Sequence, residues 1–456
     1  MISRQLAEFA AALDAGAVPE AVRARACHLI LDAVGCALAA ARFDFAAPAL
    51  RAAAALGGRG PRAVIGQAAR LPLRDAVLVN GILIHGLDYD DTHTEGIVHA
   101  TVVSFPAALG VAAELGRSGR ELLAAYIAAM ETAARLGAVA RGGFHEAGFH
   151  ATSIAGAFAA ALAAGKLHGL DPAKLAAAQG IALSTAAGSL QFIEDGAWTK
   201  RFHPGWAGVG GITAAALARQ GFTAPQAAYE GRFGLYKSHL GPLEAGCDYA
   251  RATAGLGSTW ETMNVAVKPF PACHFVHAFI DAALALRRQA ADPARIERIV
   301  ALVPGGVVKA VCEPAAAKQR PANDYDAKFS VPYVIAAALR AGKFGLAELE
   351  ESALRDPATL ALAAKVEYQV DPASDFPKHY SGEVVLRLAG GVELRHRESV
   401  NRGAGERPLS NAEVEAKFME NAAFGSATDR ARRIRDAVLG LEAASAQQLE
   451  EALSGK

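Results

Sequence analysis

The sequence predicts a mainly α protein: a large all-helical domain, then a smaller α+β domain, then a tail that returns to the helices. Three observations carry this. Apolar residues recur at helical spacing through residues 1–266 and again through 405–456. Alanine and glycine crowd those segments, and small side chains let helix axes approach closely. Between 267 and 404, prolines interrupt the chain and short β-branched runs replace the helical period.

The elements follow in order. Pro19 stands where a helix would start, and Val22, Ala26, Leu29, Ile30 and Ala33 follow on one face. Leu122, Leu123, Tyr126, Ile127, Met130 and Ala134 repeat the pattern. Asp171 reads as an N-cap with Pro172 in the first turn. Lys268-Pro269-Phe270-Pro271 ends the helical style. Strands are expected at Ile299 to Val303, Val366 to Val370 and Glu383 to Leu388. Gly390-Gly391 makes the last a hairpin with Val392 to His396. Helices are expected at about 275–290 and 330–343, and helical spacing returns after about 408.

The chain has 456 residues, 52% of them hydrophobic, which is enough for a large core and excludes a disordered chain. Lys plus Arg and Asp plus Glu both number 46, so there is no basic footprint for nucleic acid or an anionic membrane. Five cysteines without a C-x-x-C pair fit a reducing compartment. Glu8 and Asp14 interrupt any apolar leader, and tracts such as Ala155 to Ala164 are too short to span a bilayer. A cytoplasmic protein is the expectation.

Four polar clusters stand out. In His85-Gly86-Leu87-Asp88-Tyr89-Asp90-Asp91-Thr92, a helical course would put His85, Asp88, Asp91 and Thr92 on one stripe. Carboxylates beside an imidazole orient a base; equally, Asp91 and Thr92 could cap a helix, or His85, Asp88, Asp91 and His93 could hold a metal. In Gly142 to Thr152, two Gly-Phe-His units precede an apolar helix, which places His150 at an electropositive helix start unless Thr152 or Ser153 is simply the cap. In Thr199 to Trp206, Lys200 and Arg201 precede His203-Pro204-Gly205. A chain break there, with a helix starting near Trp206, would make a carboxylate or phosphate receptor, enclosed by Trp198, Phe202 and Trp206. The plainer alternative is a solvated cation pair. In Lys268 to His277, a lysine, Cys273, His274 and His277 meet at the inferred domain junction, a usual place for a cleft. No P-loop, G-x-S-x-G elbow, dinucleotide fingerprint or zinc-ligand spacing appears.

These strings resemble the MmgE/PrpD family. They are His85 to Thr92, Gly148-Phe149-His150-Ala151-Thr152, Lys200-Arg201-Phe202-His203-Pro204-Gly205 and Lys268-Pro269-Phe270-Pro271-Ala272-Cys273-His274, in the family's order along nearly the whole chain. The family includes 2-methylcitrate dehydratase, cis-aconitate decarboxylase and iminodisuccinate epimerase. The resemblance implies a helical domain with an α+β lid, a homodimer, no cofactor and no metal. It also implies a site built from Asp88, Thr92, His99, His150, Lys200, Lys268 and Tyr333. Lys328, in the looser stretch leading to Tyr333, and Arg201, His203 and His274, in the matching strings, join the substrate-binding candidates.

The expected chemistry is proton transfer on a small di- or tricarboxylate, with His150 and His99 moving protons, Asp88 orienting an imidazole, Thr92 binding substrate, and Lys200 and Lys268 meeting developing charge. His99 lies one residue further from the Asp-Asp-Thr run than in the decarboxylase branch, and Cys273 stands where that branch has histidine. The sequence therefore favours a hydro-lyase, with epimerisation next and decarboxylation or a non-catalytic binding protein behind.

Overall fold

The helices Ala100–Glu114, Gly119–Ala140 and Ala151–Leu167 bury almost every residue they contain, and this dictates how the larger unit is built. A computed structural model describes every residue except Asp195, Ala291, Pro377, Ala404 and Lys456, and leaves out the side chain of Ala290. The chain divides into two compact units, Met1–Val267 with Ser410–Lys456, and Lys268–Leu409.

In the first unit the helix Glu20–Ala40 starts after Pro19 and buries Val22, Leu29, Ile30 and Val34. Helix Gly119–Ala140 opens with a capping box in which Ser118 and Glu121 satisfy each other's backbone N–H groups. Its length and composition would let it cross a membrane, but its apolar stretch is wholly buried in the core. Asp171 caps Pro172–Ala182 as its sequence predicts, accepting from the Lys174 N–H. The tail helix Asn411–Gly425 packs on Glu20–Ala40, where a Cβ at Gly35 would come within 3.1 Å of the Phe418 ring.

Four helices frame the polar clusters: Leu73–His85, Ala100–Glu114, Ala151–Leu167 and Thr199–Arg219, all mutually packed except for the pair Leu73–His85 and Ala151–Leu167. Glycine makes the closest crossings possible. A Cβ on Gly81 would sit 2.4 Å from the Gly205 Cα, and one on Gly205 would sit 2.3 Å from the Leu78 carbonyl oxygen. Helices Leu73–His85 and Thr199–Arg219 therefore touch backbone to backbone.

Helix Thr199–Arg219 corrects one expectation. His203-Pro204-Gly205 does not break the chain; Pro204 lies inside the helix, as its sixth residue. A proline there removes a single bond, to the Lys200 carbonyl, and the remaining turns hold. The N-terminus, with its free N–H groups, is thus at Thr199 and not near Trp206. Trp198, Phe202 and Trp206 do not form the expected enclosure: they are 50%, 40% and 44% exposed.

The second unit is α+β. Its sheet runs Val366–Val370, Ile296–Val303, Gly382–Leu388, Glu393–Glu398, the first pair parallel and the others antiparallel. Gly390 and Gly391 both take positive φ, 90° and 79°, and turn the last hairpin. Helix His277–Ala290 packs on the last two strands and on helix Val331–Ala341. Phe279, Ile299, Val334 and Leu386 are fully buried in the core between them.

Candidate active site

Helix ends bring the histidines of the first unit together. His85 is the last residue of Leu73–His85, His99 and His150 are the residues just before Ala100–Glu114 and Ala151–Leu167, and Lys200 and His203 lie in the first turns of Thr199–Arg219. Three helix N-termini thus point their partial positive charge at one region. Neighbouring helices pin the backbones. The His99 N–H donates to the Thr152 hydroxyl (3.1 Å), the His150 N–H to the Gly188 carbonyl (2.9 Å), and the Ser153 hydroxyl to the His203 carbonyl (3.1 Å). Thr152 and Ser153 thus serve neighbouring backbone and do not cap their own helix.

The turn 86–91 is not helical, so the expected stripe of His85, Asp88, Asp91 and Thr92 does not form. Asp88 adopts a left-handed conformation, φ 53°, which short polar side chains tolerate better than most. The turn sends its three carboxylates different ways. Asp88 Oδ1 accepts from Lys200 Nζ at 2.7 Å. Asp90 turns inward: His85 Nδ1 donates to it at 3.0 Å, and His99 Nδ1 stands 3.3 Å from the same carboxylate. Asp91 accepts from the backbone N–H of Thr101 at 3.2 Å and from its hydroxyl, serving as a remote cap. His93 bonds Glu261 and the Gly96 N–H, so the metal set His85, Asp88, Asp91 and His93 is not assembled.

The imidazoles stack closely. His85 and His99 lie 4.5 Å apart between centroids, His85 and His150 5.4 Å, and His150 and His203 5.3 Å with their Nδ1 atoms 3.2 Å apart. Thr92 Oγ1 is 3.5 Å from His99 Nδ1. Burial, reinforced by neighbouring imidazoles and Lys200, pushes His150 well below the ordinary histidine range. Burial also lowers His203 and His145 to about 4, and His85 to about 4 although Asp90 pulls the other way. Burial alone would raise Asp90; the His85 and His99 rings outweigh it and hold the carboxyl far down, so Asp90 is an anion. At neutral pH His85, His145, His150 and His203 are therefore neutral, with a buried carboxylate and a lysine beside the cluster. That is the equipment for accepting and returning protons next to a bound anion.

Arg201 has a structural place. Its Nε donates to the Gly86 carbonyl at 2.7 Å and its guanidinium lies 4.4 Å from the Phe45 ring centroid. In the second unit Lys268, Lys328 and His274 are all buried. Lys328 Nζ donates to Asp324 (3.1 Å), and the His274 ring meets His277 edge-on at 4.8 Å. The buried Tyr333 hydroxyl donates to the Glu348 carbonyl (2.6 Å), and its ring lines a cavity of about 260 Å³ with Arg340 and Asp356. His85, Asp90 and His145 belong to the first-unit cluster; the sequence offered His85 only as a member of the stripe and of the metal set, and Asp90 and His145 were not selected. The signal for the first two was present as an imidazole five residues before a carboxylate, but helical spacing pointed to Asp88 and Asp91 instead.

Comparison with known proteins agrees with this architecture. Residues 4–247 match the MmgE/PrpD N-terminal domain and residues 270–443 the MmgE/PrpD C-terminal domain. The cis-aconitate decarboxylase of Homo sapiens is 30% identical over 393 residues, covering 82% of this chain and 77% of its own. That of Aspergillus terreus is 28% identical over 464 residues, covering 97% and 93%. The cis-aconitate decarboxylase-like protein oryM of Aspergillus oryzae is 26% identical over 474 aligned positions, covering 100% and 98%. With both domains matched in order along most of its length, the chain belongs to the MmgE/PrpD family.

Proposed function

We propose that this chain is a lyase acting on a small unsaturated polycarboxylate, with cis-aconitate the first candidate and loss of CO₂ the leading reaction. The observation that carries the reading is the buried imidazole cluster set between Asp90 and the Lys200–Asp88 pair at three helix N-termini. The near full-length likeness to proteins named cis-aconitate decarboxylase supports it.

The chemistry follows from charge. Lys200 and the helix starts attract carboxylates, and a bound trianion raises the proton affinity of the adjoining rings, so His99 or His150 takes a proton from water. The bond between the methylene carbon and its carboxylate then breaks and CO₂ leaves. The released pair forms a new double bond, and the old double-bond pair shifts to the carbon beside another carboxylate. The imidazolium delivers its proton there. One proton enters and one CO₂ leaves, converting a tricarboxylate into an unsaturated dicarboxylate. A donor aimed at the developing charge contributes about 3 kcal/mol, and a placed acid about 10²–10⁴ in rate. Lys268, Lys328, His274 and Tyr333 are candidate substrate-binding residues of the second unit, and a homodimer is the proposed assembly.

The displaced His99 and Cys273 favour loss or addition of water as a second reading. Carbon-13 NMR of cis-aconitate incubated with the protein in D₂O separates the two: bicarbonate and a deuterated dicarboxylate for the first, a hydroxytricarboxylate for the second. Neither product, with no C–H exchange in cis-aconitate or a panel of related polycarboxylates, would remove the lyase reading.

A further inference from the structure

We propose that His85, His99 and His150 bind a zinc ion, and that this ion competes with the carboxylate substrate. The second half rests on the lyase reading above; the first does not.

A ring nitrogen of each of the three histidines lies within 4.8 Å of those of the other two. All three are buried, and the Nε2 of His85 has no hydrogen-bond partner among the described residues. A buried polar nitrogen left bare is costly unless something else engages it. The Nδ1 of each ring has a neighbour: Asp90 at 3.0 Å for His85, Asp90 at 3.3 Å for His99 and His203 at 3.2 Å for His150, while His99 Nε2 lies 3.8 Å from Asp88. Metal-binding histidines show this arrangement, in which a carboxylate or other acceptor holds one ring nitrogen and leaves the other as the ligand. Zinc with three imidazoles and an open fourth position, at bonds of about 2.0–2.1 Å, places ligand nitrogens about 3.4 Å apart, so the rings draw in by about an ångström.

Charge permits it. Asp90 supplies a buried negative charge behind two of the three ligands. Lys200 is the opposing cation, and its 2.7 Å pair with Asp88 offsets it. An ion held here would occupy the imidazoles that the lyase reaction uses, making zinc an inhibitor and giving the family scaffold a metal-sensitive off state.

Calorimetric titration of zinc chloride into EDTA-stripped full-length protein tests the site without any substrate. The expectation is one zinc per chain, with affinity weakened at least tenfold in His85→Ala and in His150→Gln, each checked for folding by circular dichroism. X-ray absorption of the zinc-loaded parent should show imidazole ligands at about 2.0 Å. No uptake by the parent, affinity unchanged in both folded variants, or ligation by sulfur would overturn the site. If both variants fail to fold, the absorption spectrum of the parent decides. Competition is read separately: one equivalent of zinc should suppress conversion of cis-aconitate in proportion to occupancy, and full turnover by zinc-loaded protein would overturn it. A chain without turnover leaves the calorimetric result standing, and a chain without zinc uptake leaves the lyase reading standing.

Discussion

Replacing Asp90 with asparagine should cost about two orders of magnitude in kcat/KM while leaving the fold intact. Asp90 is fully buried and sits 3.0 Å from His85 Nδ1 and 3.3 Å from His99 Nδ1. Each hydrogen bond to a charged group contributes about 1.5–3 kcal/mol. Losing the charge weakens both, for a total of about 3–6 kcal/mol. Asparagine keeps one acceptor oxygen, which puts the loss near about 3 kcal/mol, or about a hundredfold in rate. The amide can also donate, which rewards the wrong ring tautomer. The assay is conversion of cis-aconitate followed by NMR, paired with long-range ¹H–¹⁵N spectra of the histidine rings. The spectra should show His85 and His99 as Nδ1–H tautomers in the parent and a mixture in the variant. A variant within threefold of the parent rate, its tautomers unchanged, would refute the idea that this carboxylate orients the site.

Other perturbations have equally definite outcomes. His150→Ala and Lys200→Ala should each lower kcat/KM by at least about two orders of magnitude with unchanged circular dichroism, and near-normal rates in both would remove the assigned roles. Lys417→Met strips the partner from Asp32, 2.6 Å away and 1% exposed, and should destabilise the protein by about 3–5 kcal/mol in urea unfolding. A loss below about 1 kcal/mol would show that the pair is not uncompensated on truncation. His145, whose Nδ1 is buried without a hydrogen-bond partner among the described residues, protonates near 6.5 in the unfolded chain and near 4 in the folded one, because burial opposes its charge. Its contribution is therefore full above pH 6.5 and lost as the pH falls toward 4, by about 3 kcal/mol in all. Stability curves of the parent and of His145→Asn between pH 7 and 4 should diverge by that amount, and parallel curves would contradict it.

Much of the fold could be read from local signals. Asp171-Pro172 and Pro19 mark helix starts because capping and fixed φ are properties of the residues themselves, and Gly390-Gly391 marks a hairpin for the same kind of reason. Pro204 misled because proline's penalty depends on depth in the helix, which a sequence string does not show. The site was legible as a set of residue types, and His150, His99, Asp88, Lys200 and His203 do meet in the first unit. The pairing of His85 with Asp90 was missed because it depends on a left-handed residue at Asp88, which takes the later side chains off the helical stripe. Helical periodicity assigns faces only while the helix lasts.

The bare crossing of Gly81 and Gly205 reaches further than packing. Gly81 lies four residues before His85 and Gly205 five after Lys200, so one point of contact acts as the fulcrum for both sides of the polar cluster. Two hydrogen atoms where other residues carry methyls set how far the lysine must reach. The spacing between the His85 imidazole and the Lys200 ammonium is thus set from a point that neither side chain occupies.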